Sequence, residues 1–321
     1  ASTPPDQKST ERRPHYSSVP PPPVPRVSPT DLLLLLVVLV WGLDFSVLKW
    51  ALAAMHPHVA NALRFAVSAS VLGTVYGLQC WWTGASFAGP IRANWQAILP
   101  LGLLGFGAHQ AAFVVGLNHT TAGSAALIMA TNPLWTAVLG WGLGTERLGR
   151  RAWTGLLVAL TGAGLVIAAG SAEVAVGSGT LFGNGMMLVA AMLWGGYTAF
   201  AKQLVDRGSI LATTFFGVLA ALPVLIAVGA AYELTVAWKE VDGWAVGSLL
   251  FSGGLAVGLM FVLWNRAVRR VGSSNTAVYY YLVPVVALVA GVVLLGEPIT
   301  GMQVAGGALI IGGLVLVRRS K

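Results

Sequence analysis

Ten apolar stretches follow one another along the chain from residue 31, at 31–52, 57–80, 94–117, 121–143, 152–170, 180–204, 209–232, 244–268, 272–295 and 299–317. A run of about 20 apolar residues, rising about 1.5 Å each as a helix, matches the roughly 30 Å hydrocarbon core of a bilayer. With 56% hydrophobic and only 9% charged residues among 321, there is too little charge to cover a soluble surface. The fold class expected is all-α, an integral membrane protein with ten transmembrane helices. Forty glycines and twelve tryptophans suit closely packed membrane helices with aromatic residues at the interfaces, and the lack of long alternating segments argues against a β-barrel. A soluble enzyme with a single buried core is excluded.

Residues 1–30 hold Lys8, Arg12, Arg13, Arg26 and the run Pro20 to Pro23. That composition cannot build a core, and a disordered tail acting as a solvated spacer is expected. The first apolar stretch also has the form of a secretory segment, with Leu32 to Leu43 as its apolar region and a cleavage-like Ala51-Leu52-Ala53. The long charged tail, and a counterpart of this stretch inside the chain, favour a retained span. Cys80 is the single cysteine, which excludes an internal disulfide and a cysteine-built metal site. No metal or other cofactor is expected.

The formal charge of +8 is explained by topology rather than by nucleic acid, which is not an expected partner. If the N-terminus is cytoplasmic, the inner segments carry sixteen of the nineteen basic residues, among them Arg92, Arg150, Arg151, Arg266, Arg269 and Arg270. The outer segments carry Lys239 alone, with Glu173, Glu233, Glu240, Asp242 and Glu297, while Lys49 and Arg64 lie within apolar stretches. The positive-inside rule then places both termini on the cytoplasmic side of a cell (inner or plasma) membrane.

An internal repeat organises these helices. Gly116 to Leu148 aligns without gaps on Ala267 to Ile299 at an offset of 151, which pairs Pro133 with Pro284, Gly140 with Gly291 and Glu146 with Glu297. Trp41-Gly42 with Lys49 matches Trp194-Gly195 with Lys202 at an offset of 153. The chain therefore divides into five-helix repeats at 31–170 and 171–321. Because five is odd and the connection is short, the second repeat enters the membrane from the opposite side. Inverted repeats are typical of secondary transporters, whose halves enclose a midplane site and expose it alternately. Pro133 and Pro284 each lie mid-helix and leave the carbonyl four residues earlier, at Met129 and Tyr280, without its usual donor. Such a carbonyl serves a ligand or a hinge, and a packing kink is an equal alternative.

In order and spacing these residues resemble the drug/metabolite transporter superfamily, EamA type. The resemblance covers about 32 to 317 and rests on Trp41-Gly42, Arg64-Phe65, the turn Thr120-Thr121-Ala122-Gly123-Ser124, Pro133, Glu146 and the glycine-rich helix from Gly155, with a second set at Trp194-Gly195, Pro284, Glu297 and Gly306. It implies a transporter of small organic solutes, frequently amino acids or related metabolites and often outward. Two departures stand out: Asp44 occupies a position where members often have an uncharged residue, and Phe215 stands where the first repeat has Arg64.

Three candidates lie at one depth, roughly 10–12 Å below the outer boundary at helical rise: Asp44, Arg64 and His109. Ionisable groups inside a membrane are costly and face a partner or an aqueous cavity. Arg64 suits a substrate carboxylate and Asp44 a substrate ammonium or a coupling proton; a structural Asp44–Arg64 ion pair is the bland alternative. His109 can relay a proton or simply pack. Gln110 and Asn132 line the same cavity or join helices. Trp194, Tyr197 and Tyr280, in the inner half of their helices, form an aromatic wall or part of an interface belt, the belt being favoured for Trp81, Trp82, Trp238 and Trp244. Lys49 and Lys202 read as structural and able to snorkel, and Glu146 and Glu297 as packing or capping groups. No nucleophile motif, metal cluster or phosphate loop accompanies these residues, so an enzyme is not expected. The expected partners are a small-molecule substrate and the bilayer, and a coupling proton and a homodimer are compatible with this. The function expected is export of a small polar or zwitterionic metabolite by alternating access, with drug or organic-cation efflux as the alternative.

Overall fold

The computed structural model describes residues 28–144, 149–172, 179–207, 209–271 and 279–318. These form ten helical segments and no strand. In chain order they are α1 (Pro29–Ala54), α2 (Pro57–Thr83), α3 (Gly89–Asn118), α4 (Ala122–Gly142) and α5 (Arg150–Ala172). The others are α6 (Gly179–Arg207), α7 (Ile210–Ala230), α8 (Gly243–Val271), α9 (Val283–Leu295) and α10 (Gly301–Arg318). Each overlaps one of the ten apolar stretches. Residues 1–27, expected to be a tail, lie outside the described residues, as does Glu146; so does the side chain of Lys202.

Local chemistry sets the ends. Ser28 and Asp31 form a reciprocal capping box, with Ser28 N donating to Asp31 Oδ2 at 2.8 Å and Asp31 N to Ser28 Oγ at 3.2 Å. Pro29 follows at the first position of α1, where its missing N–H costs nothing. The Thr121 hydroxyl accepts from Ser124 N at 3.1 Å to start α4, and Asp242 accepts from Ala245 N at 2.8 Å to start α8. Gly84 and Gly296 terminate α2 and α9 at φ +68° and +66°, a region that a side chain would strain.

Four helices are irregular inside. α4 breaks at Ala130 and Thr131 and resumes at Asn132; the helical turn at residues 279–280 breaks at Tyr281 and Leu282 before α9. These breaks coincide under the repeat offset, and each ends two positions before a proline. In the first, Thr131 Oγ1 donates to Ile128 O at 2.7 Å and accepts from Trp135 Nε1 at 3.2 Å. α3 and α8 contain π-helical stretches at Leu103–Ala108 and Phe251–Leu259, again at equivalent positions and both rich in glycine. No apolar pattern in the sequence marks these stretches.

Packing follows the repeat. α5 packs along α10 and α2 along α7, and the pairs α1–α9, α2–α8 and α3–α6 have counterparts in α6–α4, α7–α3 and α8–α1. Small residues allow the closest approach: a Cβ on Gly155 would lie 2.5 Å from Gly313 O, and one on Gly162 2.5 Å from Gly306 O. The crossed order of these two pairs shows that α5 and α10 run antiparallel. Leu36, Leu157, Leu181 and Val293 stay exposed on the outside, as a lipid-facing surface requires, and Trp81, Trp82, Trp238 and Trp244 are exposed near helix ends or in a connection. α1 is a full member of the bundle, with Leu34, Val37 and Leu48 buried.

Candidate functional site

Six of the residues singled out from the sequence surround one cavity of about 70 Å³: Asp44 on α1, Arg64 on α2, His109 and Gln110 on α3, Trp194 on α6 and Tyr280 ahead of α9. In this conformation it has room for a few waters. The polar and aromatic groups, expected at different depths, thus share one space; His109 and Trp194 have ring centroids 5.0 Å apart.

Arg64 is 1% exposed and its two terminal nitrogens are divided between helices. Nη1 donates to Ser252 Oγ on α8 at 3.3 Å and Nη2 donates to Gln110 Oε1 on α3. Its guanidinium carbon also lies 5.5 Å from the Phe65 ring centroid and 5.7 Å from that of Phe113, within cation–π range. Asp44 lines the same cavity as Arg64. The direct ion pair considered from the sequence is not formed: among the described residues the ion pair found is Lys49 with Glu297. Asp44 Oδ1 and Arg64 Nε are buried without a hydrogen-bond partner. The physical reason is that Ser252 and Gln110 occupy the ends of the guanidinium that a carboxylate would otherwise grip.

His109 Nδ1 lies 3.0 Å from Ala190 O on α6. A carbonyl only accepts, so Nδ1 carries a proton, and in the neutral ring Nε2 is left as an acceptor. Opposite the polar cluster, Trp41 and Trp194 hold Phe261 between them at 5.4 and 5.2 Å, and Tyr280 approaches Trp41 at 6.0 Å. Met129 and Tyr280, the residues whose carbonyls Pro133 and Pro284 release, both face this cavity.

The two repeats contribute unequal chemistry. The offsets of 153 and 151 bring Asp44 onto Tyr197, Arg64 onto Phe215, His109 onto Met260 and Gln110 onto Phe261. The first half supplies the polar wall and the second its apolar replacements.

Two candidates stand back from the wall. Tyr197 stacks behind Trp194 at 4.8 Å and meets Phe106 at 5.5 Å. Asn132 neighbours the Tyr280 hydroxyl, with its Nδ2 buried and unpartnered. Tyr279 points elsewhere, donating to Asp31 Oδ1 at 2.7 Å near the start of α1. Lys49 does not snorkel: Nζ donates to Thr120 O at 2.7 Å and Glu297 Oε1 at 3.0 Å. Glu297, in the α9–α10 connection, caps a distant helix, accepting from Ala122 N at 2.9 and 3.1 Å at the start of α4. Trp41, Phe113, Phe261 and Ser252 were not anticipated as site residues. Trp41 carried a signal, as the repeat partner of Trp194; Ser252 carried only that of a hydroxyl in an apolar stretch, shared with Ser248. No group of three or more His, Cys, Asp or Glu is placed to hold a metal among the described residues.

A probable amino-acid metabolite efflux pump of Salmonella typhimurium is 30% identical over 88% of this chain and 93% of that protein. A probable terminal-alkyne amino-acid exporter of Streptantibioticus cattleyicolor is 30% identical over 87% and 93%, and the uncharacterized transporter YyaM of Bacillus subtilis is 27% identical over 85% and 88%. A crystal structure titled only as that of a protein shares the fold, with a TM-score of 0.63 at 19% identity over 91% of this chain and 96% of that one. The model of the EamA-like transporter family matches twice, at residues 28–168 and 181–319. With its helical membrane-spanning architecture and that double match, the chain belongs to the EamA-like transporter family and is a membrane transporter rather than an enzyme.

Proposed function

We propose that this transporter exports a small zwitterionic, amino-acid-like metabolite by alternating access. The observation that carries this reading is the pair of opposite charges in one cavity, Asp44 and Arg64, which do not neutralise each other directly and keep Oδ1 and Nε unpartnered. Buried polar atoms without partners are costly, and a solute carrying both an ammonium and a carboxylate would satisfy them. The names of the 30% identical relatives favour the same solute class and the outward direction. Asp44 is also the group to carry a coupling proton, with His109 Nε2 as a second acceptor in the cavity.

The two five-helix repeats, 31–170 and 171–321, have inverted topology in this reading, supported by the antiparallel α5–α10 contact. Both termini are cytoplasmic, so Lys49 and Glu297 close the outer end. The breaks at Pro133 and Pro284 are the hinges, supported by their symmetry and by Met129 and Tyr280 facing the cavity. Efflux of drugs or organic cations is the second reading, favoured by the aromatic groups Trp41, Trp194, Phe261 and Tyr280 around a single carboxylate.

Counterflow in proteoliposomes tests the proposal. Vesicles preloaded with mixed amino acids and related metabolites are expected to exchange a zwitterionic subset, and Asp44→Asn to remove both exchange and its response to a pH gradient. Exchange of organic cations alone would replace the first reading with the second.

A further inference from the structure

Several donors around the central cavity are already committed. Trp41 Nε1 donates to Ala256 O at 3.0 Å, His109 Nδ1 lies against Ala190 O, and the two terminal nitrogens of Arg64 donate to Ser252 and Gln110. Gln110 differs from these. It lines the cavity from α3, just past the point where the π-helical stretch returns to regular helix, and is 5% exposed. A guanidinium has donors and no acceptor, so the Gln110 amide must turn its oxygen to Arg64 Nη2 and its nitrogen away. Among the described residues Nε2 has no hydrogen-bond partner, yet it is not sealed off as the unpartnered Nδ2 of Asn132 is. The repeat partner of Gln110 is Phe261, an apolar ring on the facing wall, so the second half of the fold offers no such amide.

We propose that the Gln110 amide nitrogen, turned into the cavity by Arg64, is the donor that grips the carboxylate of the transported zwitterion, with Arg64 as the positioning residue behind it. A carboxylate only accepts, and Nε2 has two N–H groups to give. The guanidinium on the far side of the amide strengthens them, because hydrogen bonds in a chain polarise one another in a low-dielectric interior. The cavity can then read a carboxylate at Gln110 and leave the Asp44 carboxylate to an ammonium. The inference rests on the proposed solute class.

Gln110→Glu separates recognition from the joining of helices. Glutamate keeps an oxygen for Arg64 Nη2, and so keeps the contact between α2 and α3, but puts a second acceptor where the two donors stood. In counterflow with the full-length protein in proteoliposomes, Gln110→Glu is expected to raise KM for zwitterionic amino acids by at least ~10-fold, the size of a lost bond to a charged group, at an unchanged melting temperature. Inhibition by the corresponding amino-acid amides, which keep the ammonium and mask the carboxylate, is expected to be undiminished, so the preference between zwitterion and amide shifts by at least ~10-fold. Gln110→Met removes the donors without adding charge and is expected to shift that preference in the same direction, which keeps the test open should the glutamate variant not fold. A wild-type KM for zwitterions in Gln110→Glu, or equal loss of zwitterion and amide in both variants, overturns the inference alone and leaves the solute class standing. Absence of zwitterion exchange in the wild type overturns the solute class and this inference together.

Discussion

Glu297 and Lys49 join α1, the start of α4 and the α9–α10 connection, and removing this tie is expected to open that end of the cavity. Glu297→Ala deletes the contact with Lys49 Nζ at 3.0 Å and the hydrogen bond from Ala122 N, which lies 2.9 and 3.1 Å from the two carboxylate oxygens. A backbone donor to a carboxylate contributes about 1.5–3 kcal/mol, and the charge at a helix N-terminus roughly another 0.5 kcal/mol. The ion pair, with side chains 24% and 15% exposed, adds up to about 1 kcal/mol after solvent screening. Together these stabilise the closed arrangement by about 2–4.5 kcal/mol. At about 1.4 kcal/mol per decade, the opening equilibrium shifts by roughly 30- to 1,600-fold. Phe45→Cys in a Cys80→Ala background places a reporter thiol on the cavity wall, and a membrane-impermeant maleimide applied to one face of oriented vesicles reads its exposure. From the face nearer Lys49, adding Glu297→Ala is expected to speed labelling by at least ~30-fold. Unchanged or slower labelling with a lower melting temperature would refute the argument, since the tie would then hold the fold and not the closed state.

Arg64→Lys keeps the charge yet is expected to reduce exchange by more than ~10-fold, because one ammonium cannot span Ser252 and Gln110 on separate helices as the planar fork does; near-wild-type counterflow would contradict this. At the α1–α2 connection, burial lowers the pKa of His56 below its ordinary 6.5. Its ring stacks on Tyr232 at 3.9 Å, and its Nδ1 accepts from His58 N at 3.4 Å, which requires the neutral form. A depressed histidine contributes stability that is present above pH 6.5 and is lost as pH falls towards the folded-state value. Thermal stability should therefore fall as the pH is lowered below about 6.5, and His56→Asn should flatten that slope; an identical slope in the variant would assign it to other groups.

The reach of sequence reading differs between helices and site for a physical reason. A spanning helix must satisfy its own backbone in hydrocarbon, so about 20 apolar residues in a row carry enough information to locate it. Ten stretches found in this way match ten helices. Asp44, Arg64 and His109 were legible because ionisable groups in such stretches are expensive, and equal depth along a helix follows from residue count alone. Rotation about the helix axis is not legible in the same way. Tyr279 and Tyr280 are adjacent in sequence, yet one meets Asp31 at the start of α1 and the other faces the cavity. The π-helical stretches add a further turn to α3 and α8 that no apolar pattern announces.

By itself, the sequence determined the all-helical membrane architecture, the duplicated halves, the paired prolines and the presence of charged residues within apolar stretches. All of these follow from local composition, residue counting and self-similarity. Only the tertiary structure decided that Ser252 holds one guanidinium nitrogen of Arg64 and Gln110 the other, and that Glu297 caps α4 while pairing with Lys49. Each of these joins residues 46 to 248 positions apart. Such contacts arise from how helices rotate and approach, and glycine and side-chain packing across the whole bundle set that geometry.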